Sequence, residues 1–303
     1  MAYPDQIKIA VAQYPISEPV TMAEWQDNAA RWVSEGAKSG AQLLMFPEYG
    51  AIEVAATFGS KIASDLQLTL QAVASVADEM DDAYAGLARQ HGVHILAPSG
   101  PVRRARDGAF VNAARLITPS GRMGVQDKMI MTPFEHTWGV VAGDQLRVFE
   151  TALGRIGIAI CYDSEFPLLV RAQAEAGARL ALIPSCTERL SGYHRVRAGA
   201  CARALESQIA TAMSPTVGDA LWSPAVDRNT GAAGVFVPPE AALSMSGVLA
   251  EGEINVPGWT VATIDFAALE RIRAGGEMRN SDDWQRQPGA GSLSGAVEVV
   301  SLL

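Results

Sequence analysis

Short apolar runs alternate with amphipathic stretches along most of the chain. Ile7 to Gln13 alternates and then becomes apolar, as an inner strand does, and Leu43 to Phe46 is a second apolar run that stops at Pro47. The segment between these two runs predicts a helix with one apolar face. The apolar positions of that helix recur every three or four residues, at Trp25, Ala29, Trp32 and Gly36.

The clearest periodic pattern runs from Leu66 to Leu87. Its apolar positions keep helical spacing throughout and predict one continuous helix of about six turns. They are Leu66, Leu70, Val73, Ala77, Met80, Tyr84 and Leu87.

The remaining pattern predicts further strands and helices that alternate along the chain. Strands are predicted at His94–Ala97, Ala109–Ile117, Leu146–Phe149, Arg155–Ile160, Leu180–Ile183, Ile209–Met213 and Thr260–Asp265, and helices at Leu168–Gly177 and Tyr193–Ser207. Because hairpin-like neighbours also occur among these strands, the pattern favours a mixed sheet layered with helices over a purely parallel one. We expect one domain over residues 1–286.

The C-terminal end has a different composition. Residues 287–296 are rich in Gly and Ser and predict a flexible tail, which is followed by the apolar segment Val297 to Leu303. That ending would be costly if left in water. It either forms a final strand on its own sheet or docks onto a second subunit, and the sequence favours neither alternative.

Composition and charge indicate which kinds of partner the protein can bind. The 303 residues are 49% hydrophobic and 19% charged, close to the average for soluble globular proteins. A formal charge of −9 leaves no basic stripe for nucleic acid or anionic lipid.

The start of the chain lacks a secretory signal pattern and no apolar run approaches the length of a membrane span, so we expect a cytoplasmic protein. The odd number of cysteines, three, predicts reduced thiols.

Three segments each combine an apolar strand or an extended run with a reactive side chain at its end. Glu48 comes directly after the second apolar run, Lys128 lies next to a Met- and Ile-rich segment, and Cys161 ends a predicted strand. In open α/β sheets, functional side chains gather at the carboxyl ends of strands. Each residue alone also has an ordinary explanation, as a solvated glutamate, a surface lysine or a buried core thiol.

Taken together, these segments resemble the signature segments of the nitrilase superfamily of carbon–nitrogen hydrolases. The resemblance lies in Phe46-Pro47-Glu48, in Lys128 with Thr132-Pro133-Phe134-Glu135 downstream, and in Cys161-Tyr162-Asp163 with Phe166-Pro167, and it extends from Ile7 to about Asp265. It implies a four-layer α-β-β-α sandwich with mixed sheets, assembled as a homodimer or a larger homo-oligomer.

The resemblance also implies roles for individual residues. Glu48 would be the general base, Lys128 the stabiliser of the tetrahedral intermediate and Cys161 the nucleophile. Glu135 would match the family's additional active-site glutamate, and the backbone N–H of Tyr162 would be a second oxyanion donor. A small amide would be cleaved through a thioester, and this chemistry needs neither a metal nor an organic cofactor.

Several positions depart from the family pattern. Many relatives carry a bulky residue and then arginine where this chain has Ser164 and Glu165, and Asp163 is a candidate for a structural pair with Arg171. Cys161-Tyr162-Asp163 differs from the Cys-Trp-Glu pattern of nitrile-cleaving members, which favours amides. Monocarboxylic amides, ω-amides of dicarboxylates and N-carbamoyl compounds all remain candidate substrates.

Other residues and other functions remain open. Cys186 follows another predicted strand and is a candidate pocket wall or an alternative nucleophile, and His136 is either a substrate contact or an exposed loop histidine. One rival function is a Cys-His hydrolase that pairs Cys161 with His136 or His194. Acyl transfer from the same thioester and a catalytically silent oligomeric binding protein are the others. Four histidines without a nearby acid or cysteine cluster argue against a zinc site.

Overall fold

The computed structural model describes residues 3–287, 290 and 297–303 of the chain. The strands in this part are β1 (Gln6–Pro15), β2 (Leu43–Met45), β3 (His94–Arg103), β4 (Phe110–Ile117), β5 (Met123–Asp127), β6 (Leu146–Thr151), β7 (Gly154–Ile158), β8 (Leu180–Ser185), β9 (Ala210–Asp219), β10 (Arg228–Asn229), β11 (Gly234–Phe236), β12 (Val248–Glu251), β13 (Gly258–Asp265) and β14 (Val297–Ser301). The helices are α1 (Met22–Lys38), α2 (Ser60–Ala63), α3 (Leu66–Ser75), α4 (Ala77–His91), α5 (Pro133–Trp138), α6 (Pro167–Glu175), α7 (Leu190–Ser207), α8 (Phe266–Gly275) and α9 (Asn280–Asp283). Three 3-10 segments, Gly50–Phe58, Cys161–Glu165 and Trp284–Arg286, complete the described structure.

The strands form two mixed half-sheets joined through one pairing. The first half-sheet has the order β13-β1-β2-β3-β4-β5, and the second has the order β14-β6-β7-β8-β9-β11-β12. They meet where Tyr14 and Pro15 of β1 pair in parallel with Thr216 and Val217 of β9. Following the pairings from strand to strand shows that β2, β5, β7 and β8 all run in one direction. Their carboxyl ends therefore open towards the same side of the molecule.

Alternation along β1 explains how the chain builds four layers. Ile7, Ile9 and Val11 face a core shared with the second half-sheet, while Ala10, Ala12 and Tyr14 face a core shared with α1 and α4. Both faces of the strand are buried, which is why its sequence reads as almost continuously apolar. Helices α6 and α7 cover the second half-sheet, so the α-β-β-α sandwich with mixed sheets is confirmed.

Helix α1 forms as its apolar spacing predicts. The side chain of Thr21 caps its start by accepting from the Glu24 N–H at 3.2 Å, and the predicted apolar face is buried. Gly36 lies where this helix crosses β13, and a Cβ atom there would stand 2.9 Å from Cζ2 of Trp259. The glycine allows a close approach of helix and strand.

The segment from Leu66 to Leu87 forms two helices, so the prediction of one continuous helix is wrong. Val76 has φ −115° and ψ 16° and separates α3 from α4. Helix α3 packs on β3 and on the 3-10 segment Gly50–Phe58, whereas α4 packs on α1 and β3. The apolar stripe continues through the break because both helices bury the same side against the same half-sheet, and periodicity alone does not report the backbone angles of one residue.

The end of the chain lies on its own sheet. Strand β14 pairs in parallel with β6, and Val299 lies opposite Val148. Leu302 is only 6% exposed, and its N–H donates to the Glu150 carbonyl at 2.7 Å. This is the first of the two alternatives for the apolar ending. The predicted flexible tail at 287–296 falls almost entirely outside the described residues, and the domain boundary at residue 286 stays a prediction. Of the helices described, none has the length and apolar character needed to span a membrane.

Candidate active site

The predicted site residues meet because their strands run in one direction. Glu48 follows β2, Lys128 follows β5 directly, and Cys161 comes shortly after β7 at the first position of the 3-10 segment Cys161–Glu165. Glu135 lies in α5, seven residues beyond Lys128. Residues that are far apart in sequence thus share one buried site.

Lys128 lies between two carboxylates. Its Nζ donates to Oε1 of Glu48 at 2.8 Å and to Oε2 of Glu135 at 2.7 Å, and all three side chains are at most 2% exposed. Glu135 is held by its own helix start, because both the N–H and the hydroxyl of Thr132 donate to its Oε2 at 2.9 Å. Buried charges persist only when they are paired in this way.

Burial and pairing move the pKa values of the three groups in different directions. Burial alone would lower the pKa of Lys128, but Glu48 and Glu135 outweigh burial and raise that pKa well above its ordinary value. Burial raises the pKa of Glu48, and the attraction of Lys128 offsets only part of the rise. For Glu135 burial is outweighed by Lys128 and by hydrogen bonds, so its pKa is lowered. Glu48 is therefore the better proton acceptor of the two carboxylates.

Cys161 stands at a sharp turn between strand and helix. Its φ of 51° places a residue with a side chain in the left-handed region, as in the nucleophile turns of other hydrolases. The thiol is buried and donates weakly to the Cys186 carbonyl at 3.8 Å. Burial and the neighbouring Glu48 carboxylate raise the pKa of Cys161 well above its ordinary value. A raised pKa favours the protonated thiol, and a thiol becomes a strong nucleophile only after a base removes its proton.

Asp163 ties the cysteine turn to the segment that carries Lys128. It accepts hydrogen bonds from the backbone N–H groups of Met129 at 3.2 Å, Ile130 at 2.8 Å and Ile160 at 3.1 Å. The expected pair with Arg171 is wrong, because Arg171 instead pairs with Glu175 at 2.9 Å. Backbone donors from two chain segments satisfy the carboxylate instead of a basic side chain.

The two residues after Asp163 have separate contacts. Ser164 is buried and its hydroxyl donates to the Cys161 carbonyl at 2.6 Å. Glu165 lines the cavity and pairs with Arg195 at 3.3 Å. Ser164 thus supports the turn at Cys161, and Glu165 belongs to the cavity wall.

Three further residues at the site were not found by sequence reasoning. Asn112 donates through Nδ2 to Oε1 of Glu48 at 3.0 Å and to Oε1 of Glu135 at 3.3 Å. The hydroxyl of Tyr49 donates to Glu135 at 2.8 Å, and that of Ser99 donates to Asn112 at 2.8 Å. In the sequence, the feature that could have indicated Asn112 is its position inside the largely apolar strand β4. A polar side chain in such a strand needs buried hydrogen-bond partners.

The charged cluster forms the floor of a cavity of about 610 Å³. Aromatic side chains line part of the wall, namely Tyr49, Phe134, Trp138 and Tyr162. Cys186 also lines the cavity, and its N–H donates to Oε2 of Glu48 at 3.0 Å, while its thiol is directed to Oδ1 of Asn229 at 3.4 Å. Cys186 therefore contributes a backbone donor to the site.

The structure does not bring the predicted histidines to this cavity. His136 and His194 are both exposed, and neither is part of the cavity lining. Within residues 3–287, 290 and 297–303, no group of three His, Cys, Asp or Glu side chains is arranged to hold a metal ion.

The chain belongs to the carbon-nitrogen hydrolase family, within the nitrilase superfamily, because the family's model matches residues 8–246. It is 32% identical over 281 residues to the probable hydrolase YhcX of Bacillus subtilis, a match that covers 92% of this chain and 54% of YhcX. This chain thus spans about half the length of that relative.

Solved structures show the same fold. Nit3 of Saccharomyces cerevisiae, a member of branch 10 of the nitrilase superfamily, superposes with a TM-score of 0.71 at 20% identity, covering 90% of this chain and 94% of Nit3. An amidase from Nesterenkonia sp. superposes with a TM-score of 0.64 at 23% identity, covering 88% of this chain and 94% of the amidase.

Proposed function

We propose that the protein is an amidase that hydrolyses the carbon–nitrogen bond of a small amide through a thioester on Cys161. The observation that carries this proposal is the buried cluster of Glu48, Lys128 and Glu135 beside Cys161 on the floor of one cavity. Such a cluster combines a nucleophile, a proton acceptor and a fixed positive charge.

The reaction follows from the positions of these groups. Glu48 accepts the thiol proton as Cys161 sulfur attacks the amide carbonyl carbon, and the C=O electrons move to oxygen. Within the described residues, two of the three N–H groups of the Lys128 ammonium donate hydrogen bonds to carboxylates. The third N–H group is therefore available to the oxyanion. The N–H of Tyr162 serves as the second oxyanion donor.

Collapse of this intermediate breaks the carbon–nitrogen bond. Glu48 returns its proton to the leaving nitrogen, which departs as ammonia or an amine and leaves a thioester on Cys161. Glu48 then deprotonates a water molecule that attacks the thioester, and the carboxylic acid leaves as the thiol regains its proton. Glu135 touches Lys128 throughout and keeps it an ammonium.

The cavity suits a small-molecule substrate in size and lining. A volume of about 610 Å³ falls within the usual range for such sites. Aromatic walls formed by Tyr49, Trp138 and Tyr162 would pack on the acyl part of the substrate, whereas the Glu165–Arg195 pair offers polar contacts. The Cys161-Tyr162-Asp163 sequence supports an amide over a nitrile.

Ammonia release from a panel of small amides, ω-amides, N-carbamoyl amino acids and nitriles tests this function. We expect activity on an amide that falls about a thousandfold or more in Cys161→Ala and in Glu48→Gln. Cys201→Ala is the matched control, because it removes a half-buried thiol in α7 and should leave the activity near the wild-type rate. Amide turnover retained in Cys161→Ala would overturn the proposal.

Two additions to this experiment separate the rival functions. A double variant, His136→Ala with His194→Ala, should keep most of the activity, because both side chains lie outside the cavity lining. Loss of activity in that variant would support a Cys-His hydrolase. Added hydroxylamine distinguishes the acyl acceptor, since a large preference for hydroxamate over acid would indicate acyl transfer instead of hydrolysis.

A further inference from the structure

Asn112 is a second donor, besides Lys128, that both site carboxylates share. It lies in β4, has no exposed surface, and its Nδ2 reaches Oε1 of Glu48 at 3.0 Å and Oε1 of Glu135 at 3.3 Å. Glu48 and Glu135 both take part in the proposed hydrolysis, whereas this amide has no role in it.

The orientation of the amide is determined by a hydrogen-bond chain behind it. The backbone N–H of Tyr49 donates to the Ser99 hydroxyl at 3.2 Å, and that hydroxyl donates to Oδ1 of Asn112 at 2.8 Å. Because the carbonyl side of Asn112 is already engaged with a donor, its NH₂ side faces the carboxylates. The reverse orientation would set the carbonyl oxygen against two carboxylates.

The hydrogen bonds around Glu48 distinguish its two oxygens. Oε1 accepts from Nζ of Lys128 at 2.8 Å and from Asn112, and these two donors occupy both lone-pair positions of that oxygen. Oε2 accepts from the Cys186 N–H at 3.0 Å and keeps one position free. A proton that arrives at Glu48 is therefore directed to Oε2.

We propose that Asn112 is a positioning residue that keeps Oε1 of Glu48 an acceptor, so that Glu48 takes and returns the proton of Cys161 at Oε2. Ser99 supports this role by holding the amide in one orientation. The inference rests on the proposed amidase function, because it assigns the atom at which the general base of that reaction works.

The proposal predicts a change in the pH dependence of turnover. Glu48 must be ionised in the free enzyme to accept the thiol proton, so its pKa determines the acid limb of kcat/KM. A hydrogen bond to a carboxylate favours the ionised form, and removing it raises the pKa of that carboxylate. Loss of the Asn112 donor should therefore move the acid limb to higher pH.

The test compares Asn112→Leu, which keeps the branching and the number of heavy atoms of the side chain, with Gln173→Leu as a matched control. Gln173 is a fully buried amide whose Nε2 donates to the carbonyls of Arg147 and Ile158, with no bond to either carboxylate. For Asn112→Leu we expect kcat to fall about 10- to 100-fold, KM to change less than about threefold, and the acid limb to rise by about one pH unit. Ser99→Ala should shift the limb in the same direction by less, and Gln173→Leu should not shift it.

Alkylation of Cys161 by iodoacetamide, followed by mass spectrometry of the Cys161 peptide, provides a second measurement if turnover in Asn112→Leu is too slow. Its pH dependence should shift by the same amount, because the same carboxylate takes the thiol proton. If the acid limb has the same pH midpoint in Asn112→Leu as in the wild type in both measurements, the proposed role of Asn112 is overturned. This holds even if kcat falls because the variant is less stable. The amidase proposal would survive that result, since it depends on the separate behaviour of Cys161→Ala and Glu48→Gln.

Discussion

At the residue scale, burial together with hydrogen bonding determines the pKa of each charged side chain of the site. Glu48 and Glu135 have the same side chain and share Lys128, yet the pKa of Glu48 is raised and that of Glu135 is lowered. The difference arises because Glu135 accepts additional hydrogen bonds from Thr132 and Tyr49. Two identical side chains thereby differ in basicity, and this difference supports the proposed roles of Glu48 as a proton acceptor and Glu135 as a counter-charge.

Another buried carboxylate, outside the cluster of Glu48, Lys128 and Glu135, makes stability depend on pH. Glu53 is fully buried and accepts hydrogen bonds from the hydroxyls of Tyr14 and Ser17, each at 2.7 Å. Burial raises its pKa to about 7 from an ordinary value of 4.5. A carboxyl whose pKa is raised in the folded state contributes stability below its ordinary pKa and loses that contribution as the pH rises through about 7.

We therefore expect the free energy of unfolding to fall between about pH 4.5 and pH 8. Glu53 should account for about 3 kcal/mol of this decrease, and that part should be absent in Glu53→Gln. Urea unfolding of both proteins across this range measures the difference. Equal pH dependence in the two proteins would contradict the raised pKa of Glu53.

At the scale of single elements, close contacts override local propensity. Alanine favours a helix over glycine by about 1 kcal/mol, so propensity alone predicts that Gly36→Ala stabilises α1. The structure predicts the opposite, because the new methyl group would lie 2.9 Å from Trp259 and 3.0 Å from Cδ2 of Leu44. Overpacking of a filled contact typically costs about 1–3 kcal/mol.

The matched control for this substitution is Gly86→Ala in α4, where an added Cβ meets nothing within 4 Å. Thermal unfolding should show a lower Tm for Gly36→Ala and an equal or higher Tm for Gly86→Ala. If both variants gained stability, the tight contact of α1 with β13 would be wrong.

At the scale of the whole molecule, the C-terminal strand closes the edge of the second half-sheet. Leu302 is buried beside β6, whereas its neighbour Leu303 is 44% exposed. We expect Leu302→Ala to lower the free energy of unfolding by about 2 kcal/mol or more and Leu303→Ala to change it by less than about 0.5 kcal/mol.

Denaturant unfolding at two protein concentrations tests this prediction and the alternative of docking onto a second subunit. An effect of Leu302→Ala that does not depend on concentration agrees with a strand on its own sheet. A loss of stability that deepens on dilution would indicate that the segment docks across subunits.

The sequence alone determined the features that depend on local pattern. Apolar runs and their ends located most strands, the spacing of Trp25 and Trp32 located α1, and the reactive residues Glu48 and Cys161 stood at predicted strand ends. These features are readable because a side chain's face and a strand's end depend on near neighbours in the chain.

Only the tertiary structure decided which of these residues meet and what charge each one carries. Glu48 and Lys128 are 80 residues apart in sequence. Because β2 and β5 run parallel, Nζ of Lys128 lies 2.8 Å from Oε1 of Glu48. The backbone donors on Asp163 and the place of Asn112 between two carboxylates likewise come from separate segments. Desolvation and hydrogen bonding are properties of the packed surroundings, so no local pattern of residues could have shown them.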